Sequence, residues 1–358
     1  MQRELAAKFY PSERSRSEAI AFVIMAAVLV VAPMLFYPVF LMKALCFALF
    51  ACAFNLLIGY VGLLSFGHAL FFGWGAYVGA HLAKVGTLRF PYWAGGWQWL
   101  TIPLPPLSPE LAVLGGTLVA AVAGIMVGAL AIRRQGIYFA MITLALAQMM
   151  FFFAVQAPFT GGEDGIQAVP RGKLFGIIDL ADQTNMYVFV AGIFLVGFLM
   201  IYRIVNSPFG EVLKAIRENE PRAISLGYKT DRYKLVAFVL SATFAGAAGA
   251  TKALVFQLAS LTDVDWPMSG EVVLMTLVGG LGTLFGPVVG AFFMISMENY
   301  LTSTQSLHIN LLGLAVSIDI SKVGQWVFVI QGAIFVICVL LFRRGIIGEL
   351  ATALRLRL

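Results

Sequence analysis

Long apolar segments alternate with short polar ones along almost the whole chain. A helix needs about twenty consecutive apolar residues to cross the hydrocarbon core of a bilayer. We therefore expect an all-α integral membrane protein, a polytopic bundle of about 8–10 transmembrane helices. The predicted spans lie at about 20–40, 41–59, 64–83, 110–132, 136–157, 186–204, 235–257, 268–282, 285–303 and 324–342. They form one transmembrane domain over 20–348, between an N-terminal segment, 1–19, and a tail, 349–358.

Composition supports the same class. Of the 358 residues, 60% are hydrophobic and 12% are charged, and the mean hydropathy is +0.90. Soluble domains carry about 25% charged residues, so the chain cannot be a soluble globule. The net charge of +6 does not indicate nucleic-acid binding, because most basic residues flank predicted spans. Cys46, Cys52 and Cys338 lie in apolar runs without metal-ligand or disulfide spacing.

The basic clusters fix the expected orientation. Lys and Arg are enriched in loops that stay in the cytoplasm. With ten spans, the clusters at 133–134, 203–234 and 343–357 and both termini all fall on that side. This count requires a break at 279–287, which is rich in glycine.

One charged stretch, Ser207–Lys234, interrupts the apolar pattern in the second half of the chain. Pro208 suits the first position of a helix, and Pro221 ends that helix and opens another, to Leu226, with Gly227 as a left-handed cap. A short capped helix between two spans is suited to docking a soluble partner. The alternative is a solvated loop held inside by its positive charge.

Two glycine-rich interruptions, at 55–78 and 279–290, lie at membrane depth. Non-helical backbone is tolerated there only inside protein or along a water-filled path, and paired interruptions favour a transport pathway. The alternative for Asn55 and His68 is a hydrogen bond to a neighbouring helix. The candidate pathway residues are Asn55, Gly62, Ser65, Gly67, His68, Glu271, Gly279, Gly280 and Gly282.

Few ionisable residues lie inside the spans. For Lys252 we expect the ammonium to reach the membrane interface, and the alternative is that it attracts a substrate carboxylate. Glu271 and Glu298 lie near the outer ends of predicted spans. We expect their carboxylates to reach water there, and the alternative is a role in the transport pathway. No relay of Asp, Glu and His crosses the spans, and no GxxxxGK[ST] phosphate loop is present. The energy source is therefore expected in another subunit.

The predicted outer segments are less informative. We expect 85–109, with its Trp, Tyr and Pro residues, to settle at the membrane interface. The run TGGEDG at 160–165 predicts a solvated turn rather than a cation site. The sequence assigns no role to His308 or Asp319.

Three stretches carry a family resemblance. GEVLKAIRENEPRAISLGY (210–228), GYVGLLSFGHALFFGWGAY (59–77) and GGLGTLFGPVVGA (279–291) resemble the LivM-type permease subunits of branched-chain amino acid ABC importers. The general importer signature, which reads Glu-Ala-Ala, then three further residues, then Gly, is matched only at Ala223 and Gly227. The acid stands one place early, at Glu220. Lys252 also departs from the family, which has an apolar or aromatic residue there.

The resemblance implies a translocation subunit that is not itself an enzyme. Its partners would be two cytoplasmic ATPase subunits that bind ATP and Mg, a second homologous permease subunit and a periplasmic solute-binding protein. The chain itself would hold no cofactor and no metal. Contacts with the ATPase are implied for Gly210, Arg217, Glu218, Asn219, Glu220, Ala223 and Gly227.

Other interpretations remain open at this point. The chain could be an ion-coupled secondary transporter, although it lacks a carboxylate relay, or a passive channel, although repeated polar pore positions are missing. A membrane enzyme is less well supported, because no nucleophile–base pair is recognisable. Within the family, the cargo could be a branched-chain amino acid, urea, a short amide or an aromatic acid.

Overall fold

Helices dominate the computed structural model, which describes residues 12–84, 87–93, 97–103, 106–303, 306–311, 314–319, 327–341 and 345–353. Thirteen α-helices lie within these ranges. In chain order they are α1 Ser12–Leu35, α2 Pro38–Ile58, α3 His68–Lys84, α4 Pro109–Ala131, α5 Ile137–Gln156, α6 Gln183–Val205, α7 Pro208–Glu218, α8 Glu220–Ser225, α9 Thr230–Phe256, α10 Trp266–Gly279, α11 Gly286–Ser303, α12 Val327–Leu341 and α13 Gly345–Ala353.

The predicted spans coincide with helices, which confirms the all-α polytopic class. Within the described ranges, α2, α4, α5, α6 and α9 are long and apolar enough to cross a membrane by length and composition. The predicted boundary between the first two spans, at 40–41, lies too far along the chain, since α1 ends at Leu35 and α2 begins at Pro38. Pro38 begins α2 with Tyr37 extended before it (ψ 128), because proline lacks the N–H that would continue a helix and pushes the preceding residue out of the helical region.

Two helices form the centre of the bundle. In the apolar stretch of α2, 89% of the residues are buried, and in that of α9 67% are buried. The corresponding shares are 33% in α4 and 28% in α5. The central helix α2 packs on α6, α9, α10 and α11, while α9 packs on α3 and α4. The more exposed helices therefore leave apolar faces for lipid or for another subunit.

Small residues allow α3, α4 and α9 to cross closely. A Cβ on Gly249 would lie 1.8 Å from the carbonyl oxygen of Phe72, and one on Gly75 would lie 2.3 Å from that of Gly246. In lipid the hydrophobic effect does not drive helices together, so their association depends on close van der Waals packing. Small residues provide that packing by letting the backbones approach closely.

Short strands were not predicted, and the structure corrects this. β1 Thr87–Trp93 pairs antiparallel with β2 Trp97–Pro103, and β7 Ser306–Leu311 pairs with β8 Leu314–Asp319. The first hairpin occupies the predicted interfacial segment. Its aromatic and β-branched residues suit strand pairing as well as the interface. His308 lies in β7 and Asp319 in β8, and neither gains a role from the backbone pairing. The remaining strands are β3 Ile166–Gln167, β4 Lys173–Leu174, β5 Ile178–Asp179 and β6 Leu258–Ala259.

The connections segregate to two ends of the bundle. At one end, here called the coupling end, the segments 59–67, 131–137, 205–230 and 279–286 meet through the contacts described below. At the other, the far end, β3 pairs with β6 and Lys84 Nζ donates to the carbonyl oxygen of Gln167 at 2.5 Å. Both glycine-rich breaks therefore open at the same end as the charged segment.

Candidate functional site

The first half of the charged stretch forms α7 as predicted. Pro208 is its first residue, and the Oγ of Ser207 accepts a hydrogen bond from the N–H of Gly210 at 3.4 Å, which caps the helix. Leu213 and Ile216 are buried. A Cβ on Gly210 would lie 2.1 Å from the carbonyl oxygen of Val205. Gly210 therefore permits close approach between α7 and the end of α6 within this chain.

The second half forms α8 one residue earlier than predicted. It begins at Glu220 because the Asn219 side chain accepts from the N–H of Arg222 at 3.1 Å and acts as the N-cap. Gly227 has φ +88, the left-handed conformation expected of a cap. The N–H of Tyr228 donates to the carbonyl oxygen of Ala223 at 3.2 Å, the bond that closes a Schellman motif.

An apolar surface follows on α8 and its cap. Ile224 is 55% exposed, Leu226 70% and Tyr228 41%, whereas Ala223 is buried against the chain itself. Glu218 and Asn219 are exposed beside this surface. We call Ile224, Leu226 and Tyr228 the coupling patch.

Glu220 is engaged within the chain. It forms a salt bridge with Lys234 on α9, and its second carboxylate oxygen accepts from the Nε2 of Gln135 at 3.1 Å. The Lys234 side chain is only 4% exposed, and that of Glu220 19%. This pair fixes the start of α8 on α9 and on the α4–α5 connection. The predicted ATPase contact of Glu220 stays a prediction.

Arg217 connects α7 to both glycine-rich breaks. Its guanidinium donates to the carbonyl oxygen of Gly59, just after the end of α2. Asn55 accepts from the N–H of Gly282 at 3.0 Å and donates to the carbonyl oxygen of Thr283 at 2.9 Å. We call Asn55, Gly59, Gly62, Arg217 and Gly282 the glycine junction.

Three other predicted pathway residues in the first break take part in hydrogen bonds within the chain, and their pathway role stays a prediction. The ring of His68 is fully buried, with Nε2 2.8 Å from the Oγ of Ser241, which itself donates to the carbonyl oxygen of Ala53. Ser65 accepts from the N–H of Gly67 at 3.2 Å. For His68, the interhelical alternative is the one that this geometry matches.

The second break turns tightly between α10 and α11. A Cβ on Gly279 would lie 1.9 Å from the carbonyl oxygen of Gly286. Gly280 has φ 125 and lies against Gly345 at the start of α13. The glycines of this break are therefore required by backbone contacts. Glu271 is half-buried in α10, and its pathway role stays a prediction.

The expectation that Lys252 reaches the membrane interface is corrected. Its Nζ lies 2.6 and 2.7 Å from the two carboxylate oxygens of Asp263, and the two side chains are 11% and 2% exposed. Asp263 also accepts from the N–H and Oγ of Ser260. A buried ammonium is stable only with such a partner. Lys252 is therefore engaged in an ion pair rather than turned toward water.

A second ion pair was missed. Lys43 in α2 lies 2.8 Å from Glu298 in α11, with side chains 27% and 31% exposed. The available signal was a lone charge just inside an apolar run, shortly after Pro38. Across the described ranges, no group of three His, Cys, Asp or Glu side chains is placed to hold a metal ion.

Comparisons with known proteins agree with one another. The family model described as "Branched-chain amino acid transport system / permease component" matches residues 37–339. The high-affinity branched-chain amino acid transport system permease proteins LivM of Salmonella typhimurium and Escherichia coli are each 28% identical over 264 residues. A probable branched-chain amino acid transport permease protein LivM of Methanocaldococcus jannaschii is 26% identical over 257 residues.

These matches are partial in length. The two bacterial alignments cover 67% of this chain and 58% of each relative. The archaeal alignment covers 66% of this chain and 72% of the relative. No solved structure gives a significant match.

Proposed function

The chain belongs to the family of permease components of branched-chain amino acid transport systems, and on that premise we propose that it is the membrane-spanning subunit of an ATP-driven importer. Its cargo is a branched-chain amino acid or a related small solute. Two ATPase subunits bind ATP and Mg, a second homologous permease subunit completes the pathway, and a periplasmic binding protein delivers the solute.

The coupling patch is the observation that carries this proposal. It places three exposed apolar side chains on a capped helix in an otherwise charged segment. Apolar residues grouped in this way on a rigid helix are typical of docking surfaces for protein partners. The segment lies directly between α6 and α9, so a force on it acts on two spans.

The proposed mechanism is mechanical. Closure of the ATPase dimer moves α7 and α8, and these tilt α6 and α9, so that access to the pathway changes from one side of the membrane to the other. No bond is made or broken in this chain. The sequence has no phosphate-binding loop of its own, which is consistent with ATP hydrolysis by a partner subunit.

The membrane and orientation follow from charge. We place the protein in the bacterial inner membrane, with the coupling end and both termini in the cytoplasm. The cluster 203–234 at the coupling end carries the excess of Lys and Arg expected there. Selectivity among branched-chain amino acids, urea, short amides and aromatic acids would rest largely on the binding protein.

Substitution within the coupling patch tests the proposal. In Leu226→Asp, a charge replaces the most exposed apolar side chain of the patch. We expect the ATPase to bind at least about tenfold more weakly, as for an interface hot spot, and ATP-driven uptake of labelled leucine in proteoliposomes to fall with it. The measurements are ATPase co-purification and uptake by the complete complex.

The matched control is Ile177→Asp. Ile177 is 84% exposed but lies at the far end, in the turn after β4. This variant should keep its ATPase. Full ATPase binding and uptake by Leu226→Asp would contradict the proposal, as would solute accumulation on a proton or sodium gradient by the permease alone.

A further inference from the structure

Arg217 is exposed, but the backbone of both breaks lies against its side chain. A Cβ on Gly62 would lie 3.2 Å from Cγ of Arg217, and a Cβ on Gly282 would lie 3.0 Å from its guanidinium nitrogen. Both glycines have positive φ, +81 and +75. The turns of both breaks thus bring bare backbone against a single side chain, and their positive φ favours glycine at both positions.

The two breaks are also bonded to each other beside the arginine. A Cβ on Gly59 would lie 2.2 Å from Oδ1 of Asn55 and 2.8 Å from the N–H nitrogen of Gly282. The Asn55 amide spans the gap through its bonds to Gly282 and Thr283. One small network therefore joins Arg217 to Gly59, which are 158 positions apart in the chain, and Asn55 to Thr283, which are 228 positions apart.

Helix polarity explains why a cation belongs at this point. α2 ends at Ile58, and the next carbonyl along the chain, that of Gly59, accepts from the Arg217 guanidinium. The last carbonyl groups of a helix lack intrahelical partners and carry partial negative charge. A guanidinium is always protonated and presents several N–H donors in a rigid fork, so it suits such a site better than an ammonium does.

We propose that Arg217 is a positioning residue that latches the ends of α2 and α10 to α7. While the latch is closed, the two breaks stay together at the coupling end. When α7 moves, Arg217 leaves the Gly59 carbonyl, and the breaks separate once the bonds of Asn55 to Gly282 and Thr283 also open. The inference deepens the proposed function and rests on it for the source of the movement. It also assigns Arg217 an internal role in place of the predicted ATPase contact.

Arg217 is exposed, which suits a latch that a docked subunit can reach. Its partner is the backbone carbonyl of Gly59, a buried residue that carries no net charge. Opening of the latch therefore leaves no charge buried without a partner. The hydrogen bond between Arg217 and the Gly59 carbonyl can then form and break in each transport cycle.

The test reads the opening of the junction directly. A cysteine reporter, Leu281→Cys, is placed beside Gly282 in a Cys338→Ser background, since Cys46 and Cys52 are buried. The complete complex is held in nanodiscs, where both faces are accessible, and is labelled with a polar maleimide without nucleotide. Arg217→Gln should raise the labelling rate about tenfold, because a hydrogen bond to a charged group is lost.

The control variant is Arg222→Gln, the same change on an exposed arginine of α8. Its labelling rate should stay within about twofold of the parent, as for most surface substitutions. Arg217→Lys should give an intermediate rate, because it keeps the charge and loses the fork.

A second readout separates a latch from a merely structural residue. Arg217→Gln should raise the number of ATP molecules hydrolysed per solute transported, with the ATPase still bound. Unchanged labelling in Arg217→Gln overturns the latch, whether or not ATPase binding falls. Since the labelling assay contains no nucleotide, that failure is distinct from failure of the proposed function, which Leu226→Asp tests.

Discussion

The two ends of the bundle share ion pairs but differ in how far side chains bond to the backbone of other segments. At the far end, charged side chains pair with each other, Lys252 with Asp263 and Lys43 with Glu298. At the coupling end, the glycine junction joins side chains to backbone, with Arg217 on the Gly59 carbonyl and Asn55 on the second break. The coupling end also has an ion pair, Glu220 with Lys234, but it adds a network in which glycine turns bring the backbone within reach of side chains.

The difference predicts where the molecule can move. Separating a buried ion pair leaves charges in a medium of low polarity, which costs several kcal/mol per ion by order of magnitude. Separating a guanidinium from a backbone carbonyl costs less, because only one partner is charged and Arg217 is itself exposed to water. We therefore expect the coupling end to open during transport while the far-end pair of Lys252 and Asp263 stays intact.

The largest expected effect is at that far-end pair. Asp263→Asn would leave the Lys252 ammonium buried without its counter-ion. Breaking a buried pair in this way costs about 3–5 kcal/mol. The free energy of unfolding, or the thermal transition of the detergent-solubilised protein, should fall accordingly.

The matched control replaces both members. Lys252→Met with Asp263→Leu removes both charges at similar volume, and such replacements are often neutral or stabilising. We expect the double variant to recover most of the stability and still take up neutral solutes. If it stays as unstable as Asp263→Asn, hydrogen bonds of Asp263 to Ser260, rather than the buried charge, account for the loss.

An intermediate effect is expected at the coupling end, where Glu220 partners Lys234. Glu220→Gln keeps the shape and removes the charge opposite a lysine that is 4% exposed. The expected loss is about 1–3 kcal/mol, smaller than for Asp263 because Glu220 is 19% exposed and water can partly replace it. Thermal unfolding and limited proteolysis at 219–228 measure it.

Glu211→Gln is the control within the same segment. Its carboxylate is 69% exposed and pairs with Lys214 one turn away, so we expect a change below about 0.5 kcal/mol. Equal losses in the two variants would show that burial does not set the strength of charge pairs at this end.

Local rules predicted much of the coupling end from the sequence. Pro208 and Pro221 marked two helix starts, and Gly227 marked a left-handed cap, because these residue types restrict the backbone wherever they occur. The actual start of α8 depended on the side chain of Asn219, which a proline-based argument passes over. The membrane spans were also predictable from local sequence, because an apolar run of about twenty residues forms a membrane-spanning helix in preference to other structures.

The pairings could not be predicted, because they are set by the packed bundle. Arg217 and Gly59 are 158 residues apart, and Lys43 and Glu298 are 255 apart. Lys252 and Asp263 are only 11 apart, but they meet because the chain turns back after Gln257, which adopts the left-handed conformation (φ 55). Local patterns contain no signal for that turn, so Lys252 was expected at the membrane interface.

The smallest effect should come from Lys43, and it tests whether burial explains the contrast. Its pair with Glu298 belongs to the far end by position, but the side chains are 27% and 31% exposed. Partly solvated pairs contribute about 0.2–1 kcal/mol, so Lys43→Gln should lower the unfolding free energy by no more than that. The loss should also shrink in high salt, which screens accessible charges and leaves the buried Lys252 pair little affected. If Lys43→Gln were as damaging as Asp263→Asn and indifferent to salt, position in the bundle rather than burial would set the strength of these pairs. The coupling end would then have no energetic advantage as the end that opens.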